Sequence, residues 1–171
     1  MTIRVEKIRG NIRTDTELRK RFEALTAQQR VEKVLLSRKD AVKNRLRVTS
    51  DKGREVIIDV PRGTLIRNGD VLEVNDEYML VVEWSAEETA VITANPSGRP
   101  EENIELGVKL GYILGIKHWP LAVDGNSIYI PIESSREAVT KAFSHLSNIE
   151  ISYERRIVEP HPEDVSHEHH L

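Results

Sequence analysis

The order of hydrophobic periods along residues 78–154 limits the fold more than any other feature of this chain. Residues 89–94 read as a strand, and apolar residues then recur at helical spacing through residues 101–114. Strands are read again at 118–123 and 127–132, helical spacing follows at Val139, Phe143 and Leu146, and Ile149, Ile151 and Tyr153 alternate. Strand, helix, strand, strand, helix, strand is the order of a split βαβ unit, the ferredoxin-like arrangement. The punctuation fits that order. Pro100 suits a first helical position, where its missing N–H would be unpaired anyway. Gly115 is placed to cap the helix C-terminus, Asp124-Gly125 to turn the chain, and Ser134 to Glu137 to form a capping box. Gly107 and Gly111 weaken the first helix but let another backbone approach closely.

The first half of the chain reads differently. Residues 14–25 predict a short helix with Leu18, Phe22 and Leu25 on one face and Thr14 or Thr16 as cap. Residues 31–36 fit strand or helix equally. From Arg45 the period is two: Leu46 and Val48 share one face, and Val56, Ile58 and Val60 form the inward face of a second strand beyond a turn at Gly53. Asn68-Gly69 is a hairpin-type turn leading into a third strand. Asn75-Asp76 is the expected boundary. The sequence thus predicts an α+β protein: a β-rich domain over residues 1–76, a ferredoxin-like domain over 77–159, and a disordered tail over 160–171, which lacks apolar periodicity.

Composition removes several classes of function. With 39% apolar and only 5% aromatic residues, the cores must be aliphatic. No cysteine is present, so disulfides, thiolate nucleophiles and thiolate metal sites are all excluded, which fits a reducing cytoplasm. The first residues hold no apolar core of signal-peptide length, and no apolar run reaches membrane-spanning length. Residues 1–70 carry 18 Lys and Arg against 10 Asp and Glu, while residues 71–171 carry 7 against 18, so a basic half precedes an acidic one. No phosphate loop, dinucleotide fingerprint, GxSxG or HExxH occurs, and no set of polar groups suggests catalysis.

The histidines carry the remaining chemistry. Of six, four (His161, His167, His169 and His170) fall in the last eleven residues. In an extended tail His167 and His169 point the same way and can share one ion, with His170 and His161 in reach. Histidine-rich short tracts read as metal-binding. His118 stands just past the first helix of the second domain, two residues before Pro120. Alone it is most simply a helix-capping side chain, since one imidazole cannot hold a divalent metal well. In a two-fold dimer, however, one histidine near the axis becomes two facing ligands. His145 reads as a packing or surface residue. Imidazole and carboxylate ligands without thiolate suit Ni, Cu(II), Zn or Co.

Two stretches then resemble a known family. Residues 45–72, RLRVTSDKGREVIIDVPRGTLIRNGDVL, look like the N-terminal domain of the UreE-type urease accessory nickel metallochaperones. Residues 114–123, LGIKHWPLAV, resemble their metal-site segment, in which a histidine follows a Leu-Gly-Asn-x run; Ile116 stands where the family usually has Asn. The resemblance implies a peptide-binding-like domain, then a ferredoxin-like metal-binding domain, in a cytoplasmic homodimer without enzymatic turnover. It implies that His118 from each subunit binds Ni(II) at the interface, with Zn(II) or Cu(II) as rivals for the site. His167, His169, His170 and, less directly, His161 would supply further ligands. The implied partners are the urease apoprotein and the urease accessory GTPase complex. A rival reading, an RNA- or nucleoprotein-binding module, would use Arg45, Arg47, Lys52, Arg54, Arg62 and Arg67 against phosphates. Against it, Phe22 is the only aromatic residue before Tyr78. A metal-dependent hydrolase is disfavoured because no general base accompanies His118.

Overall fold

A computed structural model describes residues 1–159, which divide into two compact units, Met1–Ser85 and the unit that begins at Ala86. The first unit comprises β1 (Thr2–Val5), β2 (Gly10–Asn11), α1 (Thr16–Ala27), β3 (Val31–Leu36), α2 (Arg38–Ala41), β4 (Arg45–Thr49), β5 (Glu55–Asp59), β6 (Asp70–Val74) and β7 (Met79–Trp84). The protein is of mixed α+β class, with sheet predominating. Among the described residues, no helix is long and apolar enough to cross a membrane.

Two sheets make the first unit, one ordered β1-β5-β4 and the other β2-β6-β7-β3. Their facing sides share a core of Ile3, Val56, Ile58, Leu36, Leu80 and Val82, all buried. Strand β7 is apolar on both sides because both are covered. Leu80, Val82 and Trp84 face the β1-β5-β4 sheet, while Met79 and Val81 join Leu25, with Leu18 and Phe22 of α1 packed against them. That double burial explains an unbroken apolar run where a one-sided strand would alternate.

Several expectations change here. Residues 31–36 are a strand, paired in parallel with β7. This pairing draws β7 into the first unit, so the compact unit runs to Ser85 and not to the boundary expected at Asn75-Asp76. Asn68-Gly69 turns the chain, with Gly69 at φ 86°, but joins no hairpin: β5 and β6 lie in different sheets. The turn is instead fastened to β7, since Trp84 N–H donates to Asn68 Oδ1 and Gly69 N–H to the Val82 carbonyl. Asp15, and neither neighbouring threonine, caps α1, its carboxylate accepting from the N–H groups of Glu17 and Leu18. Strand β1, parallel to β5, is a further strand absent from the prediction, with Ile3 and Val5 turned inward between exposed Thr2 and Arg4.

One buried ion pair clamps the two sheets. Glu32 on β3 is 5% exposed and accepts from Arg54 Nη2 at 2.8 Å and from Ser50 Oγ at 3.1 Å. Arg54 and Ser50 flank the tight turn between β4 and β5, and the Arg54 guanidinium also lies 4.4 Å from the centre of the Tyr78 ring. The Arg54 hydrogen bond holds the Glu32 carboxyl below the ordinary glutamate range, against the opposing effect of burial.

The second unit contains β8 (Glu87–Ala94), α3 (Pro100–Lys117), β9 (Ala122–Asp124), β10 (Ser127–Pro131), α4 (Arg136–Phe143) and β11 (Ile149–Arg156). Its four strands form one antiparallel sheet in the order β11-β8-β10-β9. Both helices pack on one face of it: Leu110 and Leu114 of α3 and Val139 and Phe143 of α4 close over Ala90, Ile92, Ile128 and Ile130. Here too the boundaries move. Helix α3 passes through Gly115 and ends at Lys117, because Pro120 disfavours helical backbone at Trp119 and the reversal falls on His118. The strand expected from residue 118 is only Ala122–Asp124. The Ser134 to Glu137 box does not form; Ser135 caps α4 through Oγ, which accepts from Ala138 N–H at 3.1 Å.

Candidate metal-binding site

Helix α3 has two faces of opposite character. Leu106, Leu110, Ile113 and Leu114 turn toward the sheet. On the other side Ile104, Val108, Tyr112 and Ile116 stand 68%, 66%, 70% and 56% exposed. They follow one another at intervals of four, so they form a single ridge along the helix. Gly107, Gly111 and Gly115 make a parallel row beside it, and a Cβ built on any of the three would meet nothing within 4 Å. Val123 on β9 lies opposite Ile128, and so on the helix-bearing side of the sheet, yet remains 64% exposed. Of the two apolar stripes of this helix, the one holding Ile104 and Val108 is the outward ridge, because the burial of Leu110 and Leu114 fixes the rotation of the helix. Tyr112 and Val123 were not singled out from sequence; the four-residue spacing from Val108 through Tyr112 to Ile116 is the signal that identifies Tyr112.

The ridge ends beside His118. This residue is the C-cap of α3, with φ 51° and ψ 30°, a left-handed conformation that favours glycine. It is exposed, and among the described residues no hydrogen bond fixes its ring. The expected role of capping helix carbonyls through a ring nitrogen is therefore absent. The residues on either side are held: Trp119 packs on buried Phe143 with ring centroids 6.2 Å apart, and the Lys117 ammonium stands 5.8 Å from the Trp119 ring centre. Ile116 extends the apolar ridge by one turn.

Among the described residues, no group of three or more histidine and carboxylate side chains could hold a metal ion. His118 thus belongs to no such group within the described residues of a single chain. His161, His167, His169 and His170 lie outside the described residues. His145 is exposed and lines a polar groove of about 340 Å³ with Glu102, Glu105, Lys109 and Asn148, apart from the ridge.

Four of the six basic residues weighed against phosphates are engaged within the first unit. Arg45 pairs with Asp59 at 3.2 Å and Arg47 with Glu55 at 3.0 Å. Lys52 donates to the Gln29 carbonyl, and Arg54 is committed to Glu32. The hydrogen bond from Arg45 keeps the Asp59 carboxyl below its ordinary range, as expected of a paired acid.

Comparison with known proteins agrees with this architecture. Residues 5–85 match the family described as UreE urease accessory protein, N-terminal domain. The chain is 33% identical over 79% of its length to the Urease accessory protein UreE of Natronomonas pharaonis. It is 28% identical over 84% of its length to proteins of the same name from Yersinia pestis and Yersinia pseudotuberculosis. It spans 62% and 64% of the lengths of these relatives. The first unit is therefore a UreE urease accessory protein N-terminal domain, and the chain is similar to proteins of that name over most of its length.

Proposed function

We propose that this protein is a cytoplasmic nickel metallochaperone for urease assembly, a homodimer that carries Ni(II) between the His118 imidazoles of its two subunits. Zn(II) and Cu(II) are competing cargoes, since imidazole ligation accepts all three. The Met1–Ser85 unit would serve as a peptide-binding-like domain and the unit from Ala86 as a ferredoxin-like metal-binding domain. The antiparallel sheet, with the first and third of its strands central, supports the second reading. His167, His169, His170 and His161 would capture or cap the metal. The urease apoprotein and the accessory GTPase complex would receive it, and the protein itself would catalyse no reaction.

One observation carries this reading: the unpartnered ridge of α3 leads directly to His118. The ridge and the glycine row both run at four-residue intervals, so the ridge of one copy fits the glycine groove of another. A surface complementary to itself makes a two-fold contact. The metal restricts that contact further. Antiparallel helices crossing at Gly111 would leave the two His118 residues about 21 Å apart along the axes, too far for one ion. The C-terminal ends of the two α3 helices must therefore converge, which brings Tyr112 and Ile116 to the centre of the interface.

Nickel titration with simultaneous measurement of mass tests this. The full chain is expected to bind more nickel than a chain ending at Pro160, which should keep about one ion per two-fold dimer. His118→Ala in the shortened chain should bind essentially none, and undiminished binding there would reject the shared site. A second expectation concerns the interface. Tyr112→Asp should yield a folded monomer, since the side chain is exposed, and should lose shared-site nickel although His118 is intact. A dimer of unchanged strength would show that α3 is not the contact.

A further inference from the structure

We infer that Lys117 sets how loosely the shared site holds its cation. The inference rests on the reading of His118 as a paired ligand and adds a charge that this reading does not use. Lys117 is the last residue of α3, and its ammonium is drawn to the face of Trp119, which is itself packed on Phe143. The two residues that flank His118 in sequence thus hold a positive charge at the same turn. Among the described residues, no carboxylate pairs with Lys117 to cancel it. Adjacent α-carbons are about 3.8 Å apart, so the ammonium lies on the order of 10 Å from the imidazole and no further than roughly 15 Å. In a two-fold dimer the shared dication therefore faces two ammonium groups.

The repulsion is modest and screened. Two unit charges acting on a dication across about 10 Å of water weaken binding by roughly tenfold at 10 mM salt, by about 3-fold at 0.1 M, and hardly at all at 1 M. That is the range a carrier needs if its cargo is to be transferred and not stored. A purely structural lysine would behave otherwise. Stacking on Trp119 and offsetting the negative end of the helix dipole affect folding, and neither gives a salt-dependent change in nickel affinity.

The test uses the full chain with His161, His167, His169 and His170 changed to Ala, so that nickel reports on the His118 site alone. Lys117→Gln in this background is expected to bind Ni(II) about 3-fold more tightly at 0.1 M salt and close to tenfold more tightly at 10 mM, with the difference gone at 1 M. Lys117→Arg, which keeps the charge, should match the parent at every salt concentration. Equal or weaker nickel binding by Lys117→Gln at low salt would overturn the inference while leaving the paired histidines standing. Retention of nickel by His118→Ala in the same background would overturn both.

Discussion

Replacing His118 by glycine is expected to abolish nickel binding at the shared site without destabilising the protein. His118 sits at φ 51°, where a residue with a Cβ gives up roughly 1–2 kcal/mol. Glycine relieves that strain but adds about 0.5–1 kcal/mol of conformational entropy to the unfolded chain. The two effects nearly cancel, with a small balance in favour of the variant. Measured with the tail histidines silenced, the melting temperature should hold or rise slightly while nickel binding disappears. Such a split separates a ligand from a helix cap. A capping histidine would show the reverse pattern, with lower stability and unchanged metal binding. The outcome also bears on why a histidine occupies a glycine-favouring position at all: stability gives no reason for it, and the proposed ligation would.

Glu32→Ala is expected to be the most damaging single substitution of a polar side chain in the first unit, costing about 3 kcal/mol at pH 7. The change strands the largely buried Arg54, which exposes 24% of its side chain, and removes the acceptor of Ser50. The figure is placed at the low end for a broken buried pair because Arg54 retains partial access to water. Replacing both partners, Glu32→Leu with Arg54→Met, should recover most of the loss, since no uncompensated charge then remains. Acid provides a second test. The Glu32 carboxyl titrates below its ordinary value of about 4.3, so its contribution is complete above that pH and is lost as pH falls through the lower folded value. Denaturant melts should therefore show wild type and Glu32→Ala converging between pH 5 and the acid limit, near and below that value. A constant gap across this range would mean that packing, and not the ion pair, accounts for the loss.

Much of the second unit was legible in the sequence because its signals are local. The apolar run at residues 90–92, the alternation at 127–131 and the proline at the head of α3 each act within a turn or a strand. The ends of elements were less legible. Gly115 has the right chemistry for a C-cap, yet the helix runs on to His118, because the termination imposed by Pro120 comes later in the chain. In the first unit the same limits were more severe. Nothing within residues 31–36 reveals that their partner is β7, more than forty residues away, or that β6 leaves β5 for the other sheet. The Glu32–Arg54 pair is invisible for the same reason, since 22 residues separate partners that meet only when the sheets do.

The chain's residues by themselves determined the order of strands and helices in the second unit, the aliphatic character of the cores, the exclusion of thiolate chemistry and the position of His118 beside a helix end. Only the tertiary structure decided which side of α3 faces outward, because a helix rich in apolar residues all round offers two candidate faces. Packing of Leu110 and Leu114 against the sheet resolves that choice and leaves the ridge that ends at His118 uncovered. Local periodicity records what a segment is; burial, which depends on distant partners, records what it leaves free to bind.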